Sequence, residues 1–304
     1  MKRKYCDVRF NKSSLAVIAQ ANEIMNDYEE QGFDLTVRQL YYQFVARDLL
    51  ENNVKNYKRL VKIVANARDA GMIDWHSIVD RARREYSLPH WDSVAEIVRA
   101  SAEQFRYDRW ATQPRRVEVW LEKEALLGVV QPVCNRNDVP YYACKGYNSQ
   151  SRQWQSAEKA IRIHRESGQK TLVLHLGDHD PSGIDMTRDL QERFYKYDAT
   201  MVHVERIALN WDQIEEYEPP PNPVKLTDSR APKYQEEYGG ESWELDALSP
   251  TVIDELIQHH LDEEIHQEAW DIEERQATAR EELQRISDNW HTIAQNIDSI
   301  IENY

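Results

Sequence analysis

The spacing of apolar residues changes period along the chain, and each change predicts an element. Leu15, Ile18, Ala19, Ile24 and Met25 recur at near-helical intervals, which predicts an amphipathic helix over residues 13–31, closed by Gly32. A second helix is predicted from Thr36 through Leu50, because Gln39 three residues on completes a capping-box pattern. Val37, Leu40, Tyr41, Phe44 and Val45 fall on one face of it; Tyr41 then enters the core and Tyr42 lies on the other side, one turn beyond Arg38. A third helix over residues 54–70 turns Leu60, Val61, Val64 and Ala67 inward and stops at Gly71, before a short strand over 72–80. Residues 89–110 read as a helix and 113–116 as a linker. The run at 172–176 is nearly continuously apolar, as buried parallel strands are, and 117–121 reads as a second β-rich run. Between them, Trp154, Ala157, Ile161 and His164 predict a helix over 151–167 capped by Gly168. Further on, 201–209 is strand-like, 225–240 reads as an extended loop, and the pattern from Ser249 onward predicts one or two helices carrying Trp270, Ile286, Trp290 and Ile297.

Both runs end in acid. The first stops at Glu122, the second at Gly177, Asp178, His179 and Asp180, with Pro181 suited to the first position of a following helix. The carboxyl edge of a parallel sheet is where open α/β folds bind ligands, and two carboxylates at i and i+2 can share one hard cation through oxygen. The same aspartates also suit a plain helix cap. Glu122 adds a third carboxylate at a strand end.

At 304 residues the chain is long enough for two cores. Its three cysteines, Cys6, Cys134 and Cys144, are widely scattered, so neither a disulfide framework nor a zinc site is expected, and a reducing cytoplasm is the natural compartment. No apolar stretch is long enough to cross a membrane. The net charge of −15 at first argues against nucleic acid, but its distribution reverses the impression: residues 1–116 carry +4, residues 117–250 carry −8 and residues 251–304 carry −11. A nucleic-acid contact therefore belongs to the first third. There Lys55, Arg59, Lys62 and Asn66 line one face of the third helix and are the candidate DNA-binding residues.

Three stretches carry a resemblance. WLEKEAL, CKGYN and LGDHDPSGID, a strand ending in Glu followed by one ending in D-x-D-P-x-G, resemble a Toprim domain, most closely that of the topoisomerase VI A subunit and the meiotic double-strand-break transesterase. TVRQLYYQFVARDLL is similar to the catalytic helix of that family, with Arg38 and Tyr42 at the matching positions and Gln39 where the family has an acid. The similarity covers roughly residues 34–250. It implies an α+β multidomain protein: a winged-helix domain over 1–112 with Tyr42 as nucleophile and an α/β Toprim domain with a central parallel sheet over 113–250; beyond the resemblance, the residue pattern reads as a long acidic C-terminal helical extension over 251–304. The resemblance further implies Mg²⁺ at Glu122, Asp178 and Asp180, with Glu122 ligating or moving a proton, and Mg²⁺-dependent cleavage of double-stranded DNA through a 5′-phosphotyrosyl link. A homodimer in which each tyrosine meets the partner copy's metal site, and a separate GHKL-type ATPase B subunit, follow from the same resemblance.

Two other readings use the same residues. One is a Toprim nuclease in which metal-activated water cuts DNA and Tyr42 is structural; the other is a non-catalytic DNA-binding protein. His175 and His179 flank the aspartates without the partners a zinc site needs, and the nine tryptophans read as core residues on helix faces. No G-x-x-x-x-G-K-[ST] occurs, so the chain lacks that ATP-binding loop.

Overall fold

The computed structural model describes residues 1–79, 88–144, 150–266 and 269–302, without the side chains of 269–271 and 298–302. Lys145 to Asn148 of the CKGYN stretch, Asp80 of the expected strand, and the side chain of Trp270 therefore lie outside the described residues. Among the described residues are twelve α-helices and a four-stranded, all-parallel sheet. The chain divides into two compact units: Met1–Arg83 with Arg115–Asp262, and Arg84–Pro114 with Glu263–Tyr304.

The first unit opens with α1 (Lys12–Glu30), α2 (Val37–Ala46) and α3 (Val54–Asp69), packed around Ile24, Leu40, Phe44, Leu60 and Ala67, none more than 1 % exposed. Their starts follow the sequence. Asn11, Thr36 and Asn53 each accept a backbone N–H at the N-cap, and Thr36 and Gln39 form the reciprocal capping box. Inside α3, Ile63 is buried whereas Val61 is 37 % exposed, opposite to the predicted inward face.

The expected strand over 72–80 is absent among residues 72–79. Arg68 stacks on Trp75, 4.5 Å from the ring, and its Nη2 donates to the carbonyls of Trp75 at 2.6 Å and Ile78 at 3.3 Å. A guanidinium thus satisfies carbonyls that a wing would give to a neighbouring strand, and only isolated bridges form, such as Leu35 with Ile78.

The sheet comprises β1 (Arg115–Leu121), β2 (Tyr141–Ala143), β3 (Lys170–Leu176) and β4 (Val202–Ala208) in the order β2-β1-β3-β4. Arg115 and Arg116, expected in a linker, belong to β1. Helix α5 (Leu127–Arg136) and β2 were not anticipated, because α5 contains Pro132 and β2 is three residues long. Helices α6 (Gln150–Ser167) and α7 (Pro181–Lys196) carry Ala157, Ala160, Leu190 and Phe194 into a core with Trp120, Val173 and Val202. Trp154 is 50 % exposed, as Trp91 and Trp211 largely are, so three tryptophans depart from the expected core role.

After β4 come α8 (Trp211–Tyr217), the short pair β5 (Asn222–Pro223) and β6 (Glu241–Ser242), and between them α9 (Ala231–Tyr238), where an extended loop was expected. Pro232 starts α9, and Ala231 and Tyr234 anchor it against Val224. A 3₁₀ turn at Leu245–Ala247 leads into α10 (Pro250–Glu264).

In the second unit, α4 (Val94–Gln104) lies along α11 (Ala269–Asp288), which is followed by α12 (Trp290–Glu302). Ser287 donates to the Ala95 carbonyl at 2.8 Å, and Arg280 to that of Phe105 at 2.9 Å. Where one or two helices were expected over 251–304, the described residues form three, shared between the two units.

Gly183, in the first turn of α7, shows how tightly the acidic strand end is packed: a Cβ there would sit 2.1 Å from the Asp178 carbonyl oxygen. Gly183→Ala must push α7 away from β3, and the expected cost is about 1–3 kcal/mol. Urea denaturation measures it; Gly240→Ala, where a Cβ meets nothing within 4 Å, is the control.

Candidate active site

The sheet registers its two acidic ends side by side. Leu121 pairs with Leu176, and the Glu122 N–H donates to the Leu176 carbonyl at 2.9 Å, so Glu122 emerges next to Gly177. Glu122 then accepts the Asp178 N–H at 3.0 Å. Asp178 accepts the Leu245 N–H at 2.7 Å and faces Lys123 Nζ at 2.8 Å. Asp180 is the N-cap of α7 and accepts the Gly183 N–H at 2.7 Å. The capping role foreseen for the aspartates is thus real for Asp180 only; Asp178 instead holds the Leu245 N–H, and each uses one oxygen. The second carboxylate oxygens of Glu122, Asp178 and Asp180 have no hydrogen-bond partner among the described residues, and Asp178 and Asp180 line one cleft of about 440 Å³.

Four further residues at this edge, Lys123, Arg206, Glu244 and Asp246, were not singled out in the sequence. Arg206 of β4 donates to the carbonyls of Gly177 at 2.9 Å, Asp178 at 2.6 Å and Gly183 at 3.0 Å, clamping the strand end to α7. Lys123 pairs with Asp178, Glu244 and Asp246. Arg38 contacts Glu244 at 2.7 Å, and its Nε lies 2.6 Å from Asp246 without aiming an N–H at it, an ion pair rather than a hydrogen bond. Signals for all of them exist: Lys123 follows Glu122 in WLEKEAL, Arg206 interrupts a strand-like run, and Glu244 and Asp246 are two apart in ELDAL.

Three cations, Arg38, Lys123 and Arg206, face five carboxylates, Glu122, Asp178, Asp180, Glu244 and Asp246. The formal excess of two negative charges and the free, hard oxygen donors fit a divalent cation of the magnesium or calcium class. Among the described residues no three such side chains form a ready-made cage. Burial raises the Asp178 and Glu122 carboxyls, neighbouring carboxylates add to this, and Lys123 opposes it.

Tyr42 lies on the same unit but is not open. At 6 % exposure it is buried like Tyr41, because the 3₁₀ turn at Leu245–Ala247 covers the second side of α2 and leaves Gln39 to Val45 buried without a break. Arg38 stands 5.7 Å from the Tyr42 ring centre. Burial, with Asp246 and Glu244, pushes the Tyr42 phenol up to about 12, against the pull of Arg38 and Lys123. Tyr42 and Arg38 line a cavity of about 430 Å³ whose wall of Asn222, Pro223 and Glu244 also bounds the carboxylate cleft. Tyr41 instead ties the α2–α3 connection: its hydroxyl accepts the Asn53 N–H at 2.7 Å.

On α3, Lys55, Arg59 and Lys62 are exposed and Asn66 is half-buried; Arg59 also donates to Ser13. Their stripe begins beside Val54 and Tyr57, which line the Tyr42 cavity. His175 is a core residue against the Thr187 hydroxyl at 2.8 Å. His179 is buried among Trp211, Tyr234, Tyr238 and Trp243 and contacts the Tyr234 hydroxyl at 2.7 Å. Comparison with protein-family models gives no match, and comparison with curated proteins gives none either.

Burial lowers His179 to about 4, so its neutral form contributes stability above the unfolded value near 6.5, and that contribution is lost as pH falls toward 4. The stability gap between wild type and His179→Gln should shrink by about 2 kcal/mol from pH 7 to pH 5. Urea titrations at both pH values check this; a constant gap removes the assignment.

Proposed function

We propose that the protein is a DNA transesterase of the topoisomerase VI A type, with α1–α3 as a winged-helix-like catalytic module and the parallel sheet as a Toprim-type metal domain. The supporting observation is that the Arg38–Tyr42 cavity and the carboxylate cleft share one wall within one chain. In this reading Arg38 draws in a phosphodiester of double-stranded DNA and the Tyr42 hydroxyl attacks phosphorus. The bond from Tyr42 Oη to phosphorus forms, the bond from phosphorus to the 3′ oxygen breaks, and the 3′ hydroxyl leaves with a proton, giving a 5′-phosphotyrosyl link. Magnesium held by Glu122, Asp178 and Asp180 would neutralise charge on the transferring phosphate. Glu122 ligates it or moves the proton, and the stripe Lys55, Arg59, Lys62 and Asn66 guides the duplex backbone. Cutting both strands requires a two-fold homodimer, and strand passage requires energy from a separate GHKL-type ATPase.

The rival reading, a metal-dependent Toprim nuclease, draws support from the Tyr42 phenol being pushed up to about 12, which leaves little phenolate near neutral pH. The tyrosine separates the two. Denaturing a reaction of protein, duplex DNA and Mg²⁺ should trap protein on 5′ ends. Tyr42→Phe should lose the adduct, while Tyr41→Phe keeps it at lower stability because the Asn53 bond is gone. Free 5′-phosphate ends without adduct establish the nuclease instead.

The carboxylates are tested with Asp178→Asn, since Asp178→Ala would also remove the acceptor for the Leu245 N–H and the partner of Lys123. Asp178→Asn should abolish divalent-metal-dependent cleavage; undiminished cleavage sinks the metal assignment. Mixing it with Tyr42→Phe restores nicking only if the site is shared between two copies.

A further inference from the structure

Arg38 and Lys123 come from separate elements, one on α2 and one just after β1, yet they converge on a single oxygen. Glu244 Oε2 lies 2.7 Å from Arg38 Nη2 and bonds Lys123 Nζ as well. The other anions in the cluster differ from Glu244 in one respect. The Asp246 side chain is wholly buried and that of Asp178 is 9 % exposed, whereas that of Glu244 is 24 % exposed and lines both cavities. Asp178 and Asp246 alone match Lys123 and Arg38 in charge, and the Arg38 side chain is itself 42 % exposed, so Glu244 is not needed to neutralise them.

A carboxylate oxygen bridging two cations beside Tyr42 has the charge and acceptor chemistry of a phosphodiester, which also carries one negative charge on paired oxygens. Exchanging one for the other leaves the local charge unchanged. The backbone on either side of Glu244 is pinned, with Trp243 bonded to His179 in both directions at 2.8 and 2.9 Å and Leu245 N–H held by Asp178 at 2.7 Å. Only the Glu244 side chain has to turn for the position to open.

We propose that Glu244 is a built-in stand-in for the substrate phosphate: it closes an anion site formed by Arg38 and Lys123 in the free protein and is displaced when a nucleic-acid phosphodiester takes its place. The identity of the anion as DNA rests on the transesterase reading; the site itself does not.

The test uses the full chain and inorganic phosphate, replaced by chloride at equal ionic strength in the control. Phosphate should raise the melting temperature of Glu244→Gln and leave wild type unchanged, and adding Arg38→Gln should erase the gain. Should Glu244→Gln not fold, Glu244→Asp, whose shorter side chain withdraws from the cations, should respond in the same direction. In the uncleaving Tyr42→Phe background with chelator present, Glu244→Gln should also bind a DNA duplex about tenfold more tightly. An equal phosphate response in wild type and variant, or none in either, overturns the proposal. A response confined to the variant in a protein that never forms a tyrosyl adduct keeps the anion site and removes the transesterase reading. Adduct formation with no phosphate response does the reverse.

Discussion

The ion cluster of largely buried Lys123, Asp246 and Asp178, closed on its solvent side by Arg38 and Glu244, is the interaction on which this unit depends. Lys123 follows one strand of the sheet, Arg38 sits on a helix distant in sequence, and Asp246 lies on the turn that covers that helix. Charges removed from water are tolerable only when paired, and breaking such a pair by removing one partner costs about 3–5 kcal/mol. The cluster therefore fixes where α2 docks, and with it the position of Tyr42. Replacement of such pairs by apolar residues is often neutral or stabilising, so the energy of docking alone does not require charge at this edge.

The same cluster, with burial, explains why the Tyr42 phenol is raised. Tyr42 is enclosed by the turn that carries Asp246, and its phenol feels two carboxylates as well as two cations. Any anion or cation entering the adjoining clefts changes that balance. The two clefts are thus coupled through one set of side chains, of which Arg38 and Glu244 reach solvent.

The acidic strand ends are held with comparable economy. Each of Glu122, Asp178 and Asp180 spends one oxygen on a backbone N–H, which orients the carboxylate, and leaves the other open. Arg206 then locks the backbone beneath them. A group oriented by its own fold loses little entropy when it takes up a ligand, which is why structural caps and candidate ligands coincide here.

Local physics made much of this readable from the chain alone. Capping chemistry at Thr36 and Gln39, apolar runs ending at Glu122 and Asp178, and Pro181 at a helix start are short-range signals, and the helices, parallel strands and acidic edge follow from them. What tertiary structure decided lies at long sequence separation. Periodicity on α2 left Tyr42 on an open face, but a turn some two hundred residues later buries it. Carbonyls at Trp75 and Ile78 were taken by Arg68, so no wing strand forms among the described residues 72–79. Pairing of Arg38 with Glu244 and of Lys123 with Asp246 has no local signature, because opposite charges far apart in sequence meet only once the sheet and helices have packed.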